Sequence, residues 1–222
     1  MNKQIKEEGY TVLKNIFTRN DIEIYRTEIE NYIKNNKTIK NAGGITIPDF
    51  IKKENFKSIN DIIFNAKIRE ALTEIFEGED YRFCGHNDIG VDRVVGWHKD
   101  KLNNEYAKFE TVNIWEKHEG EEHEIVKVLI YLQEHELNDD GLQIIPKSHK
   151  ESRIVGKKHV KTGSGDVVIF DQRITHRGME ANTIKGRMLV SFGFGKNNIF
   201  TDNFEKGTIE RQIAQNKTND TV

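Results

Sequence analysis

The chain contains one cysteine, Cys84, in 222 residues. A lone thiol cannot close an intrachain disulfide, so a reducing cytoplasm is the expected setting. Long apolar runs are missing too, and none approaches the ~20 residues that span a bilayer. The opening stretch Met1-Asn2-Lys3-Gln4-Ile5-Lys6-Glu7-Glu8 lacks the apolar centre of a signal peptide. Neither sign of charge prevails: 34 Lys and Arg stand against 36 Asp and Glu, for a formal net charge of -2. That balance gives no bulk attraction for nucleic acid or for an anionic membrane. Internal repeats and low-complexity tracts are likewise absent, and oligomeric state is not legible. What remains is 36% hydrophobic and 32% charged, the profile of one soluble domain (1–222) large enough to bury a core.

Two textures divide the chain. In the helical N-terminal part, 1–80, residues 9–17 alternate as a short strand, and Thr18 with Asp21 forms a helix-start signal. Ile22, Tyr25, Ile29, Tyr32 and Ile33 then share one helical face over 21–35. Asn41-Ala42-Gly43-Gly44 reads as a loop, and Pro48 marks an irregular stretch. Ser58 with Asp61 resembles another capping pair, and a helix is expected over 66–76. The core, 81–200, changes to short strands: 124–132, 142–146, 167–170 and 187–194, with turns at 138–141 and 163–166. This spacing predicts a sandwich or barrel. The last strand is apolar on both faces, which fits a sheet covered outside by the N-terminal helices. The polar tail, 201–222, reads as a short helix with a frayed end.

The chemistry-bearing pattern is Gly96-Trp97-His98-Lys99-Asp100, followed far downstream by Ile174-Thr175-His176-Arg177-Gly178. Alternate strand residues point to one face, so His98 and Asp100 can reach a common metal ion. With His176 they would make a two-histidine, one-carboxylate set, the facial arrangement of non-haem Fe(II) oxygenases. A lone His-x-Asp is weak evidence in a chain with eight histidines. Arg187 strengthens it, placed on the strand after His176, antiparallel to it, where a guanidinium can grip a carboxylate bidentately. The stretch 117–124, which superficially matches a zinc-protease helix, has the wrong spacing and a central glycine, and reads as a charged loop.

Residues 81–195 resemble the phytanoyl-CoA dioxygenase family of Fe(II)/2-oxoglutarate oxygenases. The matching stretches are Gly96-Trp97-His98-Lys99-Asp100, Leu129-Ile130-Tyr131-Leu132-Gln133, Gly141 to His149, Gly165-Asp166-Val167-Val168-Ile169-Phe170, His176-Arg177-Gly178 and Arg187. The resemblance implies a mainly β fold with flanking helices: a double-stranded β-helix (jelly roll, cupin-like) with N-terminal helices packed on one sheet. It also implies Fe(II) held by His98, Asp100 and His176, 2-oxoglutarate held through its distal carboxylate by Arg187, and O2 as oxidant. The implied activity is hydroxylation of a small molecule with release of succinate and CO2. Because Asp100 is a carboxylate, no ligand position is left for chloride, which disfavours the related halogenases.

Two departures qualify that picture. The family's Pro-Gly-Ser-His becomes Pro146-Lys147-Ser148-His149, which places a lysine amine near the expected mouth. The Ser or Thr that often follows the distal histidine by two is Gly178, so another residue must bond the co-substrate. Asn87 and Lys127 are the candidates, an outward-facing strand position being the alternative for Lys127. Lys99, Lys101 and Lys147 near the mouth fit an anionic small-molecule substrate, and equally fit ordinary solvated lysines. The segment 102–124 is long enough for a lid. The alternative function is a non-catalytic jelly-roll domain that binds metal or 2-oxoglutarate as a sensor, distinguishable by tight binding without turnover.

Overall fold

The computed structural model describes residues 2–135, 141–150, 156–178 and 186–220, with side chains described to 217. The chain opens with α1 (Asn2–Glu8), β1 (Tyr10–Leu13) and α2 (Arg19–Asn35). It continues through β2 (Ile39–Asn41), β3 (Gly44–Pro48), α3 (Lys57–Asp61) and α4 (Ala66–Ile75). The strands β4 (Tyr81–Val91), β5 (Ile125–Tyr131), β6 (Leu142–Ile145) and β7 (Lys158–Val160) follow. Then come β8 (Val167–Asp171), β9 (Thr175–Arg177), β10 (Met188–Lys196) and α5 (Ile199–Asp220).

Among the described residues, seven strands form one sheet in the order β1-β8-β5-β10-β4-β3-β2 and three form a second, β7-β6-β9, with every pairing antiparallel. The period of two along these strands sorts their side chains. Ile89, Val128, Ile130, Ile169, Val190, Phe192 and Phe194 face outward and pack against Ile22, Tyr25 and Ile29 of α2 and Ile68, Leu72 and Ile75 of α4. Leu129, Tyr131, Val168, Phe170 and Leu189 face inward toward Leu142, Ile144 and Val160 of the small sheet. Two buried faces explain why the last strand is apolar on both sides.

Local sequence accounts for the helix starts in different ways. Thr18 and Asp21 form a full capping box on α2, and Asn65 accepts from the backbone N–H groups of Lys67 and Ile68 at the start of α4. Ser58 does not cap α3; the backbone N–H groups of Ser58 and Ile59 donate to the Glu28 carboxylate of α2 at 2.9 and 3.1 Å, a cap supplied by tertiary structure. The 41–44 stretch is a hairpin turn rather than a free loop. Ala42 and Gly43 take φ of 51° and 77°, the geometry of a tight hairpin. Gly44 lets β3 approach β4, since a Cβ there would lie 2.1 Å from the Val91 carbonyl oxygen.

The tail differs from expectation. Instead of a short helix it forms α5, 22 residues long, packed against β4 and the 3-10 turn Asn104–Phe109. Its buried positions include Thr201, Asn203, Thr208 and Gln212. A buried face that mixes these polar groups with Phe200 and Phe204 gives little hydrophobic periodicity, which is why the sequence under-reads it. The expected turn at 138–141 lies mostly outside the described residues.

Candidate metal centre and its cavity

His98 and Asp100 lie on a short extended stretch after β4 that joins the small sheet. The His98 and His176 backbones exchange two N–H···O bonds of 2.9 Å, and the Asp100 N–H donates to the Gln172 carbonyl at 2.9 Å. That pairing puts both imidazoles on one face, ring centroids 4.2 Å apart. His98 Nε2 lies 3.3 Å from Asp100 Oδ1 and His176 Nε2 lies 3.6 Å from Asp100 Oδ2. Ligand atoms of the three residues all fall within 4.8 Å of one another.

The donor set fits a divalent transition metal. His98 Nδ1 sits 2.8 Å from the Gly96 carbonyl and His176 Nδ1 sits 3.0 Å from the Ile174 carbonyl. A carbonyl only accepts, so each Nδ1 carries the proton and each Nε2 keeps its lone pair for the ion. Burial pushes the His176 imidazole down to about 4, keeping it neutral as a ligand must be. Burial alone would raise the Asp100 carboxyl, but Lys127 and both imidazoles hold it well below the usual carboxylate range.

A cavity of about 370 Å³ opens from these residues between the two sheets, with α5 as one wall. Lys127 points into it from β5, and its Nζ donates to Asp100 Oδ2 at 2.7 Å. It therefore faces inward, against the outward-facing alternative. Arg187 also lines the cavity and is 5% exposed. Its backbone N–H donates to Asp92 Oδ1 at 2.7 Å, and its carbonyl accepts from the Asp92 N–H at 2.8 Å. Its guanidinium has no hydrogen-bond or carboxylate partner among the described residues. Arg187 is not on a strand beside His176: it precedes β10 of the large sheet, while His176 belongs to the small sheet, and the two meet across the cavity.

Asn87 is a correction. It faces the outer side of β4, 1% exposed, donating to Asp49 Oδ1 and the Gly85 carbonyl and accepting from the Ile51 N–H. It shapes the 49–51 turn and does not line the cavity. Two of the three lysines also lie elsewhere. Lys99 Nζ donates to the Ser148 and Arg173 carbonyls at 2.6 and 2.5 Å, and Lys147 Nζ lies 3.6 Å from Glu8 Oε1. Lys101 alone stays at the rim. The segment 102–124 is anchored by buried Leu102 and Ile114, and its His118–Glu121 portion is a tight turn, not a helix.

Sequence reading missed several lining residues. Gln172 is 1% exposed, and neither end of its amide has a partner. Arg93 Nε is likewise buried without a partner. His86, Asp88 and Ser191 line the β4–β10 side, where Asp88 is held by Arg211 of α5 at 2.9 Å. Alternation along β4 puts His86 and Asp88 on one face, the available signal that they belong together. Nothing in the sequence marked Arg211, because α5 was not expected to reach the site.

No family model matches the chain, and no curated protein sequence matches it. Solved structures do. HygX from Streptomyces hygroscopicus, crystallised with nickel, 2-oxoglutarate and hygromycin B, is 17% identical with a TM-score of 0.67, covering 88% of this chain and 86% of its own. SnoN, the non-haem alpha-ketoglutarate-dependent epimerase of nogalamycin biosynthesis, is 12% identical with a TM-score of 0.67, covering 88% and 80%. EctD from S. alaskensis is 14% identical with a TM-score of 0.68, covering 88% and 75%. At such identities the likeness is one of fold: the chain is a double-stranded β-helix, a jelly roll with helices packed on its larger sheet.

Proposed function

We propose that the protein is an Fe(II)- and 2-oxoglutarate-dependent dioxygenase that hydroxylates a C–H bond of a small molecule and releases succinate and CO2. One observation carries this reading. His98, Asp100 and His176 converge in the same cavity that holds the unpaired guanidinium of Arg187. Three such ligands on one side of an Fe(II) ion leave three positions for co-substrate and O2. Iron with 2-oxoglutarate supplies O2 activation, coupled to decarboxylation of the co-substrate and oxygen insertion into the substrate.

The chain's own residues do the positioning. The Gly96 and Ile174 carbonyls fix the imidazole tautomers. Arg187 receives the distal carboxylate of 2-oxoglutarate bidentately, which orients the co-substrate before O2 arrives. Lys127, beside Asp100, supplies a second cation for the inner end of the co-substrate, the role left open by Gly178. Leu129, Tyr131, Leu142, Phe170 and Leu189 give the cavity apolar walls that limit water. The ordered stretches between Trp97 and Arg187 favour the phytanoyl-CoA dioxygenase family within this class. The complexes of HygX with hygromycin B and of SnoN with nogalamycin RO support a small-molecule substrate.

The test is succinate formation with Fe(II), 2-oxoglutarate and ascorbate. Wild type is expected to turn over the co-substrate, and His98→Ala to fall at least about 100-fold, through loss of a metal ligand. Equal rates in the two proteins would overturn the reading.

A further inference from the structure

We propose that the substrate of this cavity carries an anionic group, a carboxylate or a phosphate, and that Arg93 receives it. The inference rests on the dioxygenase reading and names the class of molecule that reading leaves open. Its basis is the pairing of charges inside the cavity. Among the described residues, the two carboxylates lining it already have cations: Asp100 holds Lys127 at 2.7 Å and Asp88 holds Arg211 at 2.9 Å. Lys101 stands exposed at the rim. Two guanidinium groups are left over, those of Arg93 and Arg187, and neither has an acceptor among the described residues. Arg187 is assigned to the distal carboxylate of the co-substrate. Arg93 then faces the cavity with no hydrogen-bonded anion among the described residues, and bound iron would only add positive charge.

Leaving a buried cationic donor unmatched is unfavourable, so such a group is retained where a ligand completes it. The surroundings of Arg93 are built to hold it there. Its side chain folds back across Gly90 of β4, whose missing Cβ would sit 3.2 Å from Arg93 Cδ. Gly90 occupies an inward position directly between Thr46 and Leu189 in the register, so the guanidinium lies along the sheet surface on the cavity side. Thr46, 1% exposed, has a hydroxyl with no partner and offers a second hydrogen bond to the same anion. Asp88 is the nearest carboxylate charge to Arg93 but makes no hydrogen bond to it, its Oδ2 being paired with Arg211 at 2.9 Å. A planar, always-charged guanidinium with adjacent free donors suits carboxylate or phosphate oxygens.

The experiment uses the full chain loaded with Mn(II) and 2-oxoglutarate, titrated calorimetrically with inorganic phosphate and with matched pairs of small carboxylic acids and their primary amides. Wild type is expected to bind phosphate or the acids and to ignore the amides. Arg93→Gln should weaken that binding at least about tenfold while 2-oxoglutarate affinity stays within about threefold, and Arg93→Lys should recover part of it. Arg187→Gln should instead lose 2-oxoglutarate. Retained 2-oxoglutarate binding also shows that the Arg93 variants fold. The proposal is overturned if Arg93→Gln weakens 2-oxoglutarate as much as Arg187→Gln does. It is equally overturned if amides bind as well as acids, or if no anion binds the loaded wild type. Failure of wild type to bind 2-oxoglutarate at all would sink the dioxygenase reading instead.

Discussion

Lys127 is a cation set between two apolar neighbours on an interior strand. Flanked by Val126 and Val128, it points inward and binds a carboxylate that two imidazoles also approach. Removing one partner of a largely buried ion pair leaves the other uncompensated. Lys127→Met should therefore destabilise the metal-free protein by about 3 kcal/mol in urea denaturation. Saturating Mn(II) should shrink that deficit, since the ion replaces the lost cation at Asp100; an undiminished deficit would count against a metal at this site. Lys147 makes the opposite case. It holds φ of 66°, a left-handed conformation that disfavours a side chain. Its ion pair with partly exposed Glu8 contributes little. Lys147→Gly should raise stability by about 0.5–1 kcal/mol, seen as a higher thermal midpoint.

At the scale of elements, α5 decides how wide the cavity is. Gly207 packs so closely on the 102–124 segment that a Cβ would meet Leu102 Cδ1 and Cδ2 at 2.6 Å. Gly207→Val should cost about 1–3 kcal/mol by overpacking and make that segment easier to cleave by limited proteolysis. This helix is also where the sequence was least legible. Amphipathic α2 could be found because Ile22, Tyr25 and Ile29 are apolar and regularly spaced. The inner face of α5 instead carries buried Thr208 together with Arg211, paired with Asp88, and Gln212, which donates to the Gly85 carbonyl. Hydrophobic periodicity cannot see such a face. The strands were legible for the converse reason. Runs such as 124–132 and 167–170 alternate or stay apolar according to which faces the two sheets cover. Asn87 was misread because alternation assigns a face only relative to a known inward neighbour, and Asp88, not Asn87, turned out to point in.

Across the whole molecule, buried histidines set the response to acid. Burial lowers His86 to about 3 and His123 to about 4. Both are neutral in the folded protein, while in the unfolded chain they bind protons near pH 6.5. The unfolded state therefore holds more protons below that pH, and stability falls as pH drops from 6.5 toward the folded values. Between pH 7 and pH 5 each should remove about 2 kcal/mol. Urea midpoints measured at both values should show the loss, and His123→Gln should flatten it; a flat profile in wild type would contradict the burial of these rings.

The placement of α5 has a further consequence. It adds no strand to either sheet and contributes none of the converging trio His98, Asp100 and His176, yet Phe204, Gly207, Thr208, Arg211 and Gln215 form one side of the chamber. Exchanging that helix for another of equal length would reshape one side of the chamber while His98, Asp100 and His176 stayed in place. A scaffold arranged this way can acquire new clients by rewriting a single segment.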